Sequence, residues 1–185
     1  MICWRAFPAR PGAAATEEGG ALWAPRQYQG DGRHDNPERY GALYLTCDAV
    51  ASVVEMLAPF RGSGPVTGGM LRRLDRPLVL ARIDLHDDAP LIDLDDPVVL
   101  TAARLRPSVV ATRRRDVTQA YAAELFDRHL EAVGLRWWST IESRWTELTV
   151  FADRATAHLS LSGVDELSAG LPVVEEAARI LGMGS

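Results

Sequence analysis

The chain contains no lysine; all twenty of its cationic residues are arginine. That excludes a Walker-type phosphate loop, whose lysine reaches the phosphates, and it excludes Schiff-base chemistry. Cysteine is scarce as well. Cys3 and Cys47 form no C-x-x-C pair, so neither a disulfide framework nor a zinc ribbon is supported, and a reducing cytoplasm is the expected compartment. Long apolar runs are missing, since no stretch approaches the ~18 residues that a membrane helix needs. The opening residues MICWRAFPARPG have no basic start leading into an apolar run, so no signal peptide is expected. Positive charge is not in excess either. A net charge of −5 argues against direct binding to nucleic acid, which relies on a broad basic surface. What is present suits one folded domain over residues 1–185, with 47% apolar residues to build a core.

Residues 8–32 are rich in proline, glycine and alanine and read as a loop or insertion. Ala42–Thr46 (ALYLT) is a strand candidate that places Tyr44 opposite Leu43 and Leu45. Asp48 opens a helix with Val50, Val53, Val54 and Leu57 as its apolar stripe, and Pro59 ends it. The run RGSGPVTGG from Arg61 to Gly69 reads as a flexible connection. Residues 78–85 and 91–94 are further strands around a polar turn. A second helix is predicted from Asp116, capped by a D-x-x-Q box with Gln119 and stopped at Gly134. Its apolar face runs through Ala122, Leu125, Phe126, His129, Leu130 and Val133. Residues 137–141 and 148–152 are strand candidates, and residues 172–181 form a closing helix with Val173, Val174, Ala177 and Ile180 inward. Strands and helices mix without regular alternation, which points to an α+β fold with mainly antiparallel pairing.

Several chemical motifs are incomplete. The glycine run at 62–69 follows a helix instead of a strand, the wrong setting for a dinucleotide turn. Neither Ser63 in GSG nor Ser139 in WWSTI makes a G-x-S-x-G elbow. Asp84, His86, Asp87 and Asp88 have the chemistry of metal ligands, but no second ligand cluster in the sequence complements them. They read as a solvated strand end, and no metal is expected.

The segment from Arg33 to Glu55, GRHDNPERYGALYLTCDAVASVVE, carries more. Arg33 precedes the strand residue Tyr44 by eleven positions, and Tyr44 precedes the helical Glu55 by eleven. Each also has an ordinary reading: a solvated loop cation, a half-buried strand aromatic and a solvated helix carboxylate. Glu55 points about 150° away from the stripe of Val50, Val54 and Leu57. A functional role therefore requires that helix face to border a cleft.

The early Arg5 in WRAFP, the GR pair at Gly32 and Arg33, the LYL strand and the helical Glu55 together resemble the RES domain. RRRDVTQAYAAELF resembles that family's helix after its central strands. GLRWWSTIESRWTELTVF resembles its serine-bearing strand and the strand that follows, so the likeness covers residues 4–153. The resemblance implies a fold similar to ADP-ribosyltransferases, with mainly antiparallel strands around a cleft and helices flanking them. It implies a toxin of a bacterial toxin–antitoxin pair that cleaves the nicotinamide–ribose bond of NAD, its substrate, by hydrolysis, phosphorolysis or ADP-ribosyl transfer. It also implies a cognate antitoxin with a helix-turn-helix DNA-binding part; a homo-oligomer stays open. By position, Arg5 and Arg33 correspond to the residues that grip the pyrophosphate. Tyr44 corresponds to the residue that stacks on nicotinamide, Glu55 to the carboxylate that stabilises the ribosyl cation, and Ser139 to the hydroxyl that holds the amide or a ribose hydroxyl. Catalysis falls to Glu55, Arg33 and Ser139. His34 stands where the family commonly has an aromatic, and Trp137, Trp138 and Trp145 crowd Ser139 as core residues or as platforms. The competing reading is a RES-like module without turnover that binds only a nucleotide or a partner.

Overall fold

The computed structural model describes residues 1–184. In chain order the strands are β1 (Ile2–Pro8), β2 (Ala42–Thr46), β3 (Arg72–Arg73), β4 (Arg76–Leu85), β5 (Leu91–Asp93), β6 (Gly134–Trp138), β7 (Thr146–Phe151) and β8 (Leu159–Glu166). The helices are α1 (Ala49–Leu57), α2 (Pro97–Ala102), α3 (Pro107–Val110), α4 (Arg115–Arg128), α5 (Ala152–Ala155) and α6 (Pro172–Ile180). The expected α+β class holds, and of the strand pairs with a defined register only β5–β6 is parallel.

The chain divides into two compact units. The first contains residues 1–23, 46–85 and those from 160 onward. Its spine is β1 antiparallel to β4, with Cys3 opposite Ile83, Arg5 opposite Ala81 and Phe7 opposite Val79. β4 runs ten residues because Leu78, Val79, Leu80, Ala81, Ile83 and Leu85 are all buried, a near-continuous apolar run suited to a strand covered on both faces. Leu74 and Asp75, both at positive φ, close the tight β3–β4 hairpin, which the sequence reading does not single out. β8, also unforeseen, pairs with β4. Helix α1 packs on β1 and on α6. Its buried side is Ala51, Ser52, Val53, Val54 and Leu57, one step round from the predicted stripe, with Val50 half-buried. From α6, Val174 and Ala177 are buried, followed by Leu181.

The predicted start of α1 is correct and has a measurable consequence. The Asp48 side chain accepts a hydrogen bond from the Ala51 amide at 2.9 Å, filling one of the orphan donors of the first turn. Asp48→Ala should cost about 1 kcal/mol and lower the melting temperature by roughly 2–4 °C for a chain of this size. Asp48→Asn should melt close to wild type; equal melting of the alanine variant would remove the cap's role.

The second unit contains residues 24–45 and 86–159. Residues 42–45 of β2 lie beside β7, which pairs antiparallel with β6, and β6 pairs in parallel with β5. Tyr40, Leu94, Leu100, Val110, Tyr121, Leu125, Leu135, Trp137 and Phe151 belong to its buried core. Two expectations fail here. Asp116 is not the cap of α4 but lies in its first turn, where its carboxylate meets Arg114 at 2.6 Å. The Gln119 amide is instead donated to the Gly30 and Gly32 carbonyls at 2.8 and 2.9 Å. The helix also ends at Arg128, leaving Leu130 exposed, and Gly134 opens β6. Gly134 is needed as a close-approach residue, because a Cβ there would lie 2.6 Å from the Thr149 carbonyl. β6 accordingly starts and stops three residues earlier than the strand expected at 137–141.

Candidate functional site

In the second unit, the segment from Gly30 to Asn36 is an irregular loop that buries Arg33, His34 and Asp35 and leaves Asp31 exposed. Arg33 is 6% exposed and His34 fully enclosed. The Arg33 guanidinium donates through Nη1 to the carbonyls of Val110 and Thr112 at 3.0 and 2.7 Å. It also lies 4.9 Å from the Trp137 ring centre, a cation–π distance. The Thr118 hydroxyl donates to the Arg33 carbonyl. These contacts hold the planar cation at one angle, which suits a group that meets phosphate oxygens in pairs.

His34 continues the cluster. Its Nδ1 meets the Thr149 hydroxyl and its Nε2 the Tyr121 hydroxyl, both at 2.7 Å. Its ring sits edge-on to Trp137 at 5.2 Å and tilted against Tyr121 at 5.4 Å. The imidazole therefore fills the slot where the sequence resemblance calls for an aromatic. Burial, followed by the positive charges of Arg33 and Arg115, holds its pKa well below the usual histidine value. The ring is neutral at pH 7, one nitrogen donating and the other accepting.

Tyr44 closes the loop from β2. Its hydroxyl accepts from the His34 amide at 2.9 Å and donates to Asp35 Oδ1 at 2.7 Å. Asp35 Oδ2 in turn accepts from the amides of Gly30 and Gly32 at 2.8 and 2.7 Å. Burial and then the Asp35 charge push the Tyr44 phenol well above its ordinary pKa, so it stays a donor. The structure thus brings Arg33 and Tyr44 together through His34 and Asp35. Gly32 is fixed by the same network, because a Cβ would lie 2.4 Å from Asp35 Oδ1 and 2.6 Å from the Tyr44 hydroxyl. Gly32→Ala should cost about 1–3 kcal/mol through overpacking, read as a lower denaturation midpoint; an unchanged midpoint would mean that the loop yields freely.

Ser139 follows the end of β6 and is 1% exposed. Its amide donates to the Trp145 carbonyl at 2.9 Å, and its Oγ accepts from the Ile141 amide at 3.2 Å. Of the tryptophans, Trp137 is core, donating its Nε1 to the Thr149 hydroxyl at 3.2 Å. Trp138 is half-buried and lines a groove of about 440 Å³ with Leu100, Leu105 and Pro107.

The first unit carries the other two residues. Arg5, half-buried on β1, donates through Nη1 to the carbonyls of Ala21 and Trp23 at 2.6 and 3.2 Å. Its guanidinium lies 5.0 Å from the Phe7 ring centre. Burial lowers its pKa to about 10, which leaves it cationic at neutral pH. Glu55 is exposed on α1. Three residues before it, the Ser52 hydroxyl accepts from the Ala6 amide of β1 at 2.6 Å. Positions three apart are neighbours on a helix surface, so Glu55 rises beside the point where α1 is tied to β1. The sequence reading did not single out Asp35, Tyr121, Thr149 or Ser52; their signal is burial of polar groups, which a sequence alone does not display.

An α+β fold of mainly antiparallel pairing, carrying a buried arginine–histidine–tyrosine cluster in its second unit, is the class these observations define. The model of the RES domain family matches residues 2–168, and the chain belongs to that family. The match takes in β1 and β8, beyond the 4–153 of the sequence resemblance. A chain of the crystal structure of the M. tuberculosis MbcT–MbcA toxin–antitoxin complex is similar to this one with a TM-score of 0.67. The similarity covers 96% of this chain and 88% of that chain at 20% sequence identity, which identifies a shared fold. No curated protein matches the sequence.

Proposed function

We propose that this protein is a toxin-type enzyme that consumes NAD by cleaving the bond between nicotinamide and ribose, and that a cognate antitoxin neutralises it. Membership of the RES family supports the class of reaction. The observation that carries the reading is the buried Arg33 guanidinium, oriented by two carbonyls and the Trp137 ring. A cation kept inside a protein at that cost suits a phosphate-bearing substrate. In this proposal Arg33 and Arg5 neutralise the pyrophosphate of NAD. Tyr44 presents its ring to nicotinamide while its hydroxyl is anchored on Asp35. Glu55 stabilises the positive charge that develops on the ribose as nicotinamide departs, the role a carboxylate plays in glycoside cleavage. Ser139 bonds the nicotinamide amide or a ribose hydroxyl. No step in this scheme calls on a metal.

The fold shared with a chain of a toxin–antitoxin complex supports the partner, which we propose binds DNA through a helix-turn-helix part. Among the described residues no helix is long and apolar enough to cross a membrane, and the proposed place of action is the cytoplasm. The test is incubation of the purified chain with NAD while free nicotinamide is followed, with and without phosphate and with a cell lysate as acceptor. Release or lysate modification is expected. NAD binding without either would make the protein a binding module. Growth arrest on expression, relieved by co-expression of a small helical protein from a neighbouring gene, is the outcome expected of the toxin.

A further inference from the structure

A second polar cluster, unrelated to the NAD reading, lies in the second unit. His86 directly follows β4, Asp88 sits in the turn that follows it, and His158 ends the short 3-10 turn before β8. One ligand atom from each of the three lies within 4.8 Å of the others. The sequence offers His86 and Asp88 as half a ligand set with no complement. The complement is His158, distant along the chain and brought opposite by folding. Backbone hydrogen bonds fix the arrangement: the His86 amide donates to the His158 carbonyl at 3.0 Å, and the Ala89 amide donates to the His86 carbonyl at 3.1 Å.

The side chains are set as ligands. His158 Nδ1 is buried and makes no hydrogen bond among the described residues. It faces Asp88 Oδ1 across 3.9 Å, too far for a hydrogen bond. Ligands about 2.1 Å from a tetrahedral zinc ion lie about 3.4 Å apart, so small side-chain rotations close the gap. The two imidazoles stand 6.0 Å apart between ring centres and nearly perpendicular. His86 and Asp88 are exposed, which gives an ion a path in.

We propose that His86, Asp88 and His158 form a binding site for a divalent ion of the zinc type. Two imidazoles and one carboxylate are a zinc-class donor set with one position left for water. Loaded, the site ties the connection after β4 to the connection before β8. A hard ion such as magnesium, which prefers oxygen ligands, is not its match.

The experiment uses the full chain, untagged and stripped with chelator, titrated with zinc chloride in calorimetry and equilibrium dialysis. One zinc per chain is expected, with no comparable uptake of magnesium. His86→Ala and His158→Ala should each weaken binding at least tenfold, and Asp88→Asn should weaken it as well. His129→Ala, at a half-buried histidine 3.9 Å from Glu131 and outside the cluster, should bind as wild type does. Circular dichroism of the metal-free variants checks that each is folded, and cobalt(II) bound by wild type should give the visible absorption of a tetrahedral site that both histidine variants lose. Failure of wild type to take up zinc, or equal binding by the two histidine variants, overturns the proposal. NAD turnover does not enter either readout, so the two proposals stand or fall separately.

Discussion

Replacing Glu55 by alanine is expected to lower nicotinamide release from NAD by about 10²–10³-fold, the loss typical when a group that stabilises transition-state charge is removed. In the proposed reaction the ribosyl cation forms only as the base departs, so a carboxylate acting on it would stabilise the transition state and not bound NAD. The loss should therefore fall on kcat, with KM little changed. Glu55→Gln separates charge from shape; if electrostatics carries the effect, glutamine should be nearly as inactive as alanine. Folding does not confuse the result. Glu55 is exposed while Val54 and Leu57 beside it are buried, and substitutions at such surface positions usually stay within about 0.5 kcal/mol. An active wild type with an equally active Glu55→Ala variant would remove Glu55 from the mechanism. Arg33→Ala is the less informative variant, since it would strip both a binding group and the contacts to Val110, Thr112 and Trp137.

The elements that chain-local chemistry dictates were legible in the sequence. β2 and the start of α1 follow from the LYL alternation and the Asp48 cap, both set by residues adjacent in the chain. What escaped is what distant residues decide. Asp116 and Gln119 have the spacing of a cap, but Arg114 claims the first and the carbonyls of Gly30 and Gly32 claim the second. The pattern that ran α4 on through Val133 counted residues that belong to the turn between α4 and β6, and β6 begins at once because β7 offers Gly134 a pairing partner in Val150. Of the candidate residues, Arg33 and Tyr44 are singled out by the family resemblance, their spacing alone leaving ordinary readings open, and the groups that hold them are not legible at all. Asp35 reads as an ordinary loop acid until both its oxygens are seen to be bonded. His34 reads as a departure from a motif until its ring is found packed where an aromatic would pack.

That buried imidazole sets the second large expectation, a stability that falls in acid because of His34. The folded protein holds the ring neutral, with its pKa well below 6.5, chiefly by burial and then by Arg33 and Arg115. The unfolded chain titrates near the ordinary value, so between the two pKa values the unfolded state binds the extra proton. Stability from this residue is complete above about pH 6.5 and is lost as pH falls below it, with a limiting slope of about 1.4 kcal/mol per pH unit. His34→Ala at pH 7.5 should cost about 3–5 kcal/mol, since it opens a cavity beside Trp137 and removes the imidazole partner of the buried Thr149 and Tyr121 hydroxyls. His34→Phe restores the volume but leaves those hydroxyls without the imidazole nitrogens, so it should cost less than alanine at pH 7.5. It should also show a shallower loss of stability between pH 6.5 and 5. Urea unfolding of the three proteins at pH 7.5, 6.5 and 5.5 measures both effects, and a phenylalanine variant with the wild-type acid slope would assign that slope to other groups.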